Sequence, residues 1–235
     1  MSIESRMVSI KAKPAAIRVD LAKTAVLVVD MQNDFGATGG MFDLAGSDLS
    51  VIQQAVAPCV RIVTAARSVG LPIVYLKTAH HPDSIDMGRE GSRYWQMCQR
   101  LRIGEATVAP NGEPSRILIE GTWNAEILPE LSPLPDDHVI TKKRFSGFYE
   151  TSLDEKLRGL NVDTLIVIGC TTSICVESTI RDGYMRDYVC VLPADCTGQP
   201  ERPGLSIGSH EATLGIIERS FGWISSSDNI LSAIR

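Results

Sequence analysis

The chain has 235 residues, of which 44% are apolar, with a net charge of −5 and six cysteines. That apolar share supplies a core and argues against disorder, while a mild acidic balance with no Lys/Arg block argues against a nucleic-acid partner. No apolar run approaches the roughly 18–20 residues that span a bilayer, and the cysteines (Cys59, Cys98, Cys170, Cys175, Cys190 and Cys196) form no C-x-x-C pair, so neither membrane insertion nor a disulfide scaffold is expected. Residues 1–20 carry basic residues but neither an apolar h-region nor a small-residue cleavage site. They read as an N-terminal arm rather than a signal peptide, and the protein as cytoplasmic.

The run TAVLVVD (24–30) is β-branched and almost continuously apolar, as a strand buried on both faces should be. Residues 48–69 carry apolar positions at three- and four-residue spacing, and Gly70-Leu71-Pro72 stops that helix. PIVYLKT (72–78) reads as a second strand. Residues 79–122 are irregular, and a loop region of that length is expected to serve function or subunit contacts. HVITKK (138–143) is a third strand, followed by a helix capped by Thr151. DTLIVIG (163–169) is a fourth strand, with a helix expected over 175–186, and YVCVLPAD (188–195) a fifth. A helix over 209–220, the short strand FGWIS and a final helical turn close the chain.

This alternation predicts one α/β domain over 21–235, a three-layer α/β/α, Rossmann-like arrangement around a mostly parallel sheet of about six strands. Ligands of such folds bind beyond the carboxyl ends of the strands. Asp30 ends the first strand, Lys142 ends the third, and Cys175 follows the fourth where a helix begins.

Three segments, VLVVDMQNDF (26–35), ITKKRFSGFYETSLDEKL (140–157) and VIGCTTSICVESTIRDGY (167–184), together resemble the isochorismatase-like cysteine hydrolases. Within that group RFSGFYET, CVESTIRDGY and FGWIS are most similar to ureidoacrylate amidohydrolases of pyrimidine catabolism, with biuret and N-carbamoylsarcosine amidohydrolases as near neighbours. The resemblance implies a triad of Asp30, Lys142 and Cys175, an oxyanion hole built from the backbone N–H groups of Thr171 and Cys175, and a cis peptide at Cys170–Thr171. The lysine is placed four residues before Ser146; Lys143 stands beside it, and on a strand only one of the two faces the site. No cofactor and no metal is implied. Nicotinamidases of the superfamily hold a metal with an Asp and histidines after the second strand; Thr78 occupies that Asp position here, leaving His80 and His81 as loop or rim residues.

The residues also make chemical sense. An ordinary thiol is mostly protonated at neutral pH, so a nucleophile needs help; a helix N-terminus and a lysine ammonium are both expected to favour the thiolate. Asp30 is the expected proton carrier and backbone N–H groups the expected oxyanion donors. The implied reaction is cleavage of a C–N bond in a small ureido, carbamoyl or amide substrate through a thioester. Phe35, His80, Arg93, Trp95 and Tyr149 are candidate pocket residues, the arginine for a substrate carboxylate. Ureidoacrylate is the leading substrate, with biuret, N-carbamoylsarcosine, maleamate and nicotinamide as alternatives. True isochorismatases cleave a vinyl ether without a cysteine nucleophile, so Cys175 counts against that activity. A silent scaffold of the same fold is the non-enzymatic alternative, and a homo-oligomer, dimer or tetramer, is expected. Cys170 and the other four cysteines read as buried thiols without chemistry.

Overall fold

In the computed structural model, which describes residues 4–201 and 208–235, the chain opens with an antiparallel hairpin of β1 (Met7–Ile10) and β2 (Ile17–Asp20). β3 (Thr24–Val29) leads through two short turns, α1 (Asn33–Gly36) and α2 (Met41–Leu44), into the long helix α3 (Ser50–Ser68) and then β4 (Ile73–Thr78). Next come α4 (Arg93–Arg100), the small hairpin β5 (Ala106–Val108) and β6 (Pro114–Arg116), β7 (His138–Lys142), α5 (Leu153–Gly159) and β8 (Thr164–Cys170). The chain closes with α6 (Glu177–Tyr184), β9 (Val189–Pro193), β10 (Thr197–Gly198), α7 (Ser209–Ser220), β11 (Trp223–Ser225) and α8 (Ser227–Ile234).

The main sheet runs β11-β9-β8-β3-β4-β7 with every pair parallel, and the two-residue β10 adds to the end of β8. Alternation along its central strands separates two cores. Val26 and Val28 of β3, with Ile166 and Ile168 of β8, face a core shared with Ile52, Cys59, Ile62 and Ala66 of α3 and Ile230 and Ile234 of α8. Ala25, Leu27 and Val29, with Leu165 and Val167, face a second core shared with Leu153 and Leu157 of α5, Ile180 of α6 and Ile217 of α7. The expected three layers are therefore present, and the strands, buried on both faces, read as continuous apolar runs for that reason.

Three local readings change. The N-terminal arm is a docked hairpin: Ile10 and Val19 are buried in the first core, and the Lys13 main chain exchanges hydrogen bonds of 2.8 and 3.0 Å with Ile224. The region 79–122 contains α4, capped by Ser92 Oγ accepting the Trp95 N–H at 3.2 Å, and the β5–β6 hairpin; both are shorter than the stretch over which a period can be read. The helix after Thr151 begins at Leu153, although the Thr151 hydroxyl does accept the Leu153 N–H at 3.2 Å. Among the described residues no helix is long and apolar enough to cross a membrane.

Two backbone features shape the strand ends. Gly169 has φ +118°, and a Cβ there would lie 2.0 Å from the Val29 carbonyl oxygen, so only glycine lets β8 pass this close to β3. Asp30 has φ +48°, a left-handed conformation that Asp tolerates better than most residues, and this turns its side chain toward β4.

Candidate active site

Asp30 lies one residue beyond β3, at the carboxyl end of the sheet. Its Oδ1 accepts the Thr78 N–H at 3.0 Å and the Thr78 hydroxyl at 2.9 Å. The register of β4 on β7 sets Thr78 directly opposite Lys142. The Lys142 ammonium accordingly donates to Thr78 Oγ1 at 2.7 Å and to the Arg144 carbonyl at 3.2 Å, and it faces Asp30 Oδ2 at 2.7 Å. Both charged side chains are fully buried. Although Oδ2 is in ionic contact with Lys142, it receives no well-aligned hydrogen bond among the described residues, which leaves it able to take a proton.

Lys143 points the other way, donating to the Ala79 carbonyl at 2.6 Å and pairing with Asp86 at 3.1 Å. Strand alternation thus separates the two lysines, with Lys142 on the Asp30 side.

Cys175 reaches the pair from the far side of β3. Between β8 and α6, residues Thr172–Val176 form a π-helical turn rather than the start of an α-helix at residue 175. The Thr171 carbonyl accepts the amides of Ile174 at 3.1 Å and Val176 at 3.2 Å and passes over that of Cys175. The Cys170–Thr171 peptide is cis. The Cys170 thiol is spent on the Asp30 carbonyl at 3.0 Å.

The charges differ from expectation in one respect. Burial pushes the Cys175 thiol well above its ordinary pKa, Asp30 adds to that, and Lys142 opposes it without prevailing. Burial therefore disfavours the thiolate at Cys175, and the Lys142 ammonium, which faces the Asp30 carboxylate at 2.7 Å, does not offset it. Burial also works against the Lys142 charge, but Asp30 and Cys175 outweigh it and hold its pKa above the ordinary value.

The candidate pocket residues fare unevenly. Phe35 is buried in the first core, edge-on to Phe42 with ring centroids 5.1 Å apart. His80 is wholly buried rather than at a rim: Nδ1 meets Asp86 at 3.0 Å and Nε2 meets the Tyr94 hydroxyl at 3.3 Å. Burial holds its pKa below the ordinary value against the pull of Asp86. Arg93 and Tyr149 are exposed and Trp95 is partly so; among the described residues, none of these side chains bonds to Asp30, Lys142 or Cys175. Thr78 is engaged with Asp30 and Lys142, and His81 is exposed on the loop, its Nδ1 accepting the Asp83 N–H at 3.2 Å.

Thr78 and Gln32 were not singled out from the sequence as site residues. Gln32 is buried, donates to the Thr78 and Ala125 carbonyls at 2.8 Å each, and accepts the Thr78 N–H at 2.8 Å. The signal for Thr78 is its position at a strand end level with Lys142; for Gln32 it is a polar residue two beyond Asp30 in a turn. Asp34, read as a turn residue, is buried and accepts the N–H groups of Met41 at 2.7 Å and Leu118 at 2.6 Å and the Asn124 side chain. Burial pushes its pKa up to about 6 against these three donors.

A model of the isochorismatase domain matches residues 24–229. The chain is 39% identical over 218 residues to the ureidoacrylate amidohydrolase RutB of Methylorubrum extorquens, covering 93% of this chain and 85% of that protein. It is 36% identical over 220 residues to RutB of Pseudomonas syringae pv. syringae, with 93% and 86% covered. Among solved structures, a cysteine hydrolase from Pseudomonas syringae pv. phaseolicola superposes with a TM-score of 0.75 at 29% identity, covering 90% of this chain and 92% of that one. An N-carbamoylsarcosine amidase from Thermoplasma acidophilum does so with a TM-score of 0.64 at 27% identity, covering 88% and 97%.

Proposed function

The chain belongs to the isochorismatase family, and from that we propose that it is a cysteine-dependent amidohydrolase of a small ureido or amide substrate, ureidoacrylate first among them. The observation that carries this reading is the fully buried Asp30–Lys142 pair at the end of β3 and β7 with the Cys175 thiol against it.

In the first half, Cys175 Sγ attacks the substrate carbonyl carbon as its proton passes to Asp30 Oδ2, the oxygen without an aligned donor. Because burial disfavours the thiolate, attack and proton transfer are coupled. Lys142 stays charged and offsets the negative charge that moves between carboxylate and thiol. The carbonyl oxygen, now an oxyanion, is held by the N–H groups of Cys175 and Thr171; the π turn supports this because it leaves the Cys175 amide out of the Thr171 carbonyl's pairing. Collapse breaks the C–N bond, and the nitrogen leaves with the proton from Asp30. The product on the enzyme is a thioester, a thiocarbamate where the substrate is a ureide. Water then gives a proton to Asp30 as it adds to that carbonyl, the C–S bond breaks, and the thiol recovers its proton.

The test is ammonia release by the purified protein from ureidoacrylate, biuret, N-carbamoylsarcosine, maleamate and nicotinamide, with Cys175→Ser alongside. Release from the first of these, abolished in a folded Cys175→Ser variant, supports the proposal. No release from any ureide, or near-native turnover by the variant, overturns it.

A further inference from the structure

The geometry points to Arg144 as the seat of a substrate carboxylate, so that the site selects acidic ureides or amides over neutral ones. This rests on the reading of the Asp30–Lys142–Cys175 site as hydrolytic, and it assigns a selecting residue that the triad does not include.

Arg144 follows Lys142 by two residues, and its carbonyl is one of the acceptors of the Lys142 ammonium, at 3.2 Å. The side chain therefore leaves the backbone beside the triad. It is half-buried and locked on one edge: Nη1 donates to the Asp86 carbonyl at 2.9 Å and to the Lys143 carbonyl at 2.7 Å. Its guanidinium carbon lies 4.2 Å from the centre of the Tyr94 ring. Tyr94 is fixed in turn by donating to the Lys143 carbonyl at 2.7 Å and by contact with His80.

The charge inventory singles out this arginine. Lys142 faces Asp30 at 2.7 Å and Lys143 faces Asp86 at 3.1 Å. Burial holds the His80 pKa below its ordinary value. Arg144 has no carboxylate partner among the described residues, and neither Nη2 nor Nε donates an aligned hydrogen bond there. The cluster thus holds one uncompensated positive charge, on a planar group that is immobilised before any ligand arrives. A carboxylate would bring the cluster to neutrality and use the free edge of the fork. Arg93, the arginine expected from the sequence, is exposed at the start of α4 and has no such framing.

Two measurements test this. The first is kcat/KM for ureidoacrylate and for its uncharged primary amide in the native enzyme, Arg144→Gln and Arg144→Lys. The preference for the acid is expected to fall about 10–100-fold in Arg144→Gln, mainly through KM, and to be partly restored in Arg144→Lys. The second is the ratio of Cys175 alkylation rates by iodoacetate and by iodoacetamide, which does not depend on turnover. That ratio is expected to fall about tenfold or more in Arg144→Gln. An unchanged acid preference, an equal loss on both substrates, or an unchanged alkylation ratio overturns the assignment. Turnover of neither compound by the native enzyme would remove ureidoacrylate as the substrate instead, and the alkylation ratio would still decide the role of Arg144.

Discussion

Thr78→Val removes one oxygen from the centre of the site and leaves its shape. The hydroxyl accepts Lys142 Nζ at 2.7 Å and donates to Asp30 Oδ1 at 2.9 Å; the Thr78 N–H, which also bonds to Asp30, survives the substitution. Each lost bond involves a charged, fully buried partner, and such bonds contribute about 1.5–3 kcal/mol. The Lys142–Asp30 contact at 2.7 Å persists and limits the damage. A net loss of about 3 kcal/mol is therefore expected, or a fall in Tm of about 6–12 °C for a domain of this size. The ammonium would also lose one of its fixed acceptors, and kcat for ammonia release is expected to drop about 10–100-fold. Thr78→Ser keeps the hydroxyl and should stay within about threefold of the native kcat. Thermal unfolding and steady-state ammonia release measure both effects. A Thr78→Val protein that melts and turns over like the native one would refute the reasoning, as would a Thr78→Ser protein equally impaired.

The two lysines should separate cleanly. Lys142→Met strands Asp30 as a lone buried charge, at about 3–5 kcal/mol in urea denaturation, and abolishes turnover. Lys143→Met loses a pair whose lysine side chain is 34% exposed, at about 1 kcal/mol or less, with turnover retained; the reverse pattern would move the role to Lys143. The raised Lys142 pKa gives stability that is complete below the unfolded lysine value of about 10.4 and is lost as pH rises through the folded value, so this contribution to the stability gap between native and Lys142→Met should fade on the alkaline side. Asp30→Asn removes the carboxylate that helps hold the thiol up and leaves Cys175 as the remaining anionic partner for the Lys142 ammonium; iodoacetamide labelling of Cys175 at pH 7 should accelerate about tenfold or more as turnover collapses, and slower labelling would contradict the charge argument. Asp34, with its pKa raised to about 6, contributes stability that is complete below its unfolded value near 4 and is lost as pH rises through about 6. Asn124→Ala takes away a donor to its ionised form, so it should cost about 1–3 kcal/mol at pH 7 and less at pH 4; equal losses at the two would refute this.

What was legible in the sequence follows from how each feature is encoded. The strands of the sheet centre are buried on both faces, so TAVLVV and TLIVIGC carry their assignment in composition alone. Helix α3 spans four turns or more and shows its period, whereas α4 is short and owes its position to the Ser92 cap and to packing of Cys98. The nearness of Asp30 and Lys142 was legible because both stand at the carboxyl ends of strands, where topology brings them together, whereas Cys175 sits in a π turn five residues beyond the end of β8. Thr78 was not legible, because its importance comes from register: only the pairing of β4 with β7 shows that a threonine hydroxyl lies opposite an ammonium. The environment of the Cys175 thiol was not legible for a related reason. A motif names the neighbours of a group, but the sign of a pKa shift depends on burial and on which charges are already paired. Arg144 and Arg93 make the same point, since both sit beside aromatics in the sequence and only one is locked against a ring by its backbone acceptors.

The position of the Asp30–Thr78–Lys142 network within the sheet has a consequence for how the protein fails. The Asp30 amide bonds to the Leu76 carbonyl at 2.9 Å, and the Thr78 and Lys142 backbones belong to the β4–β7 ladder itself. Asp30 and Thr78 sit at the ends of the interior strands β3 and β4, whose opening requires separating the two cores, and Lys142 on the edge strand β7 is tied to them by its buried ion pair, so exchange of the Asp30 and Thr78 amides should track global unfolding rather than local fraying. Heat or denaturant would then leave no window in which the fold persists with its site dismantled. The curves for loss of activity and loss of structure should superimpose.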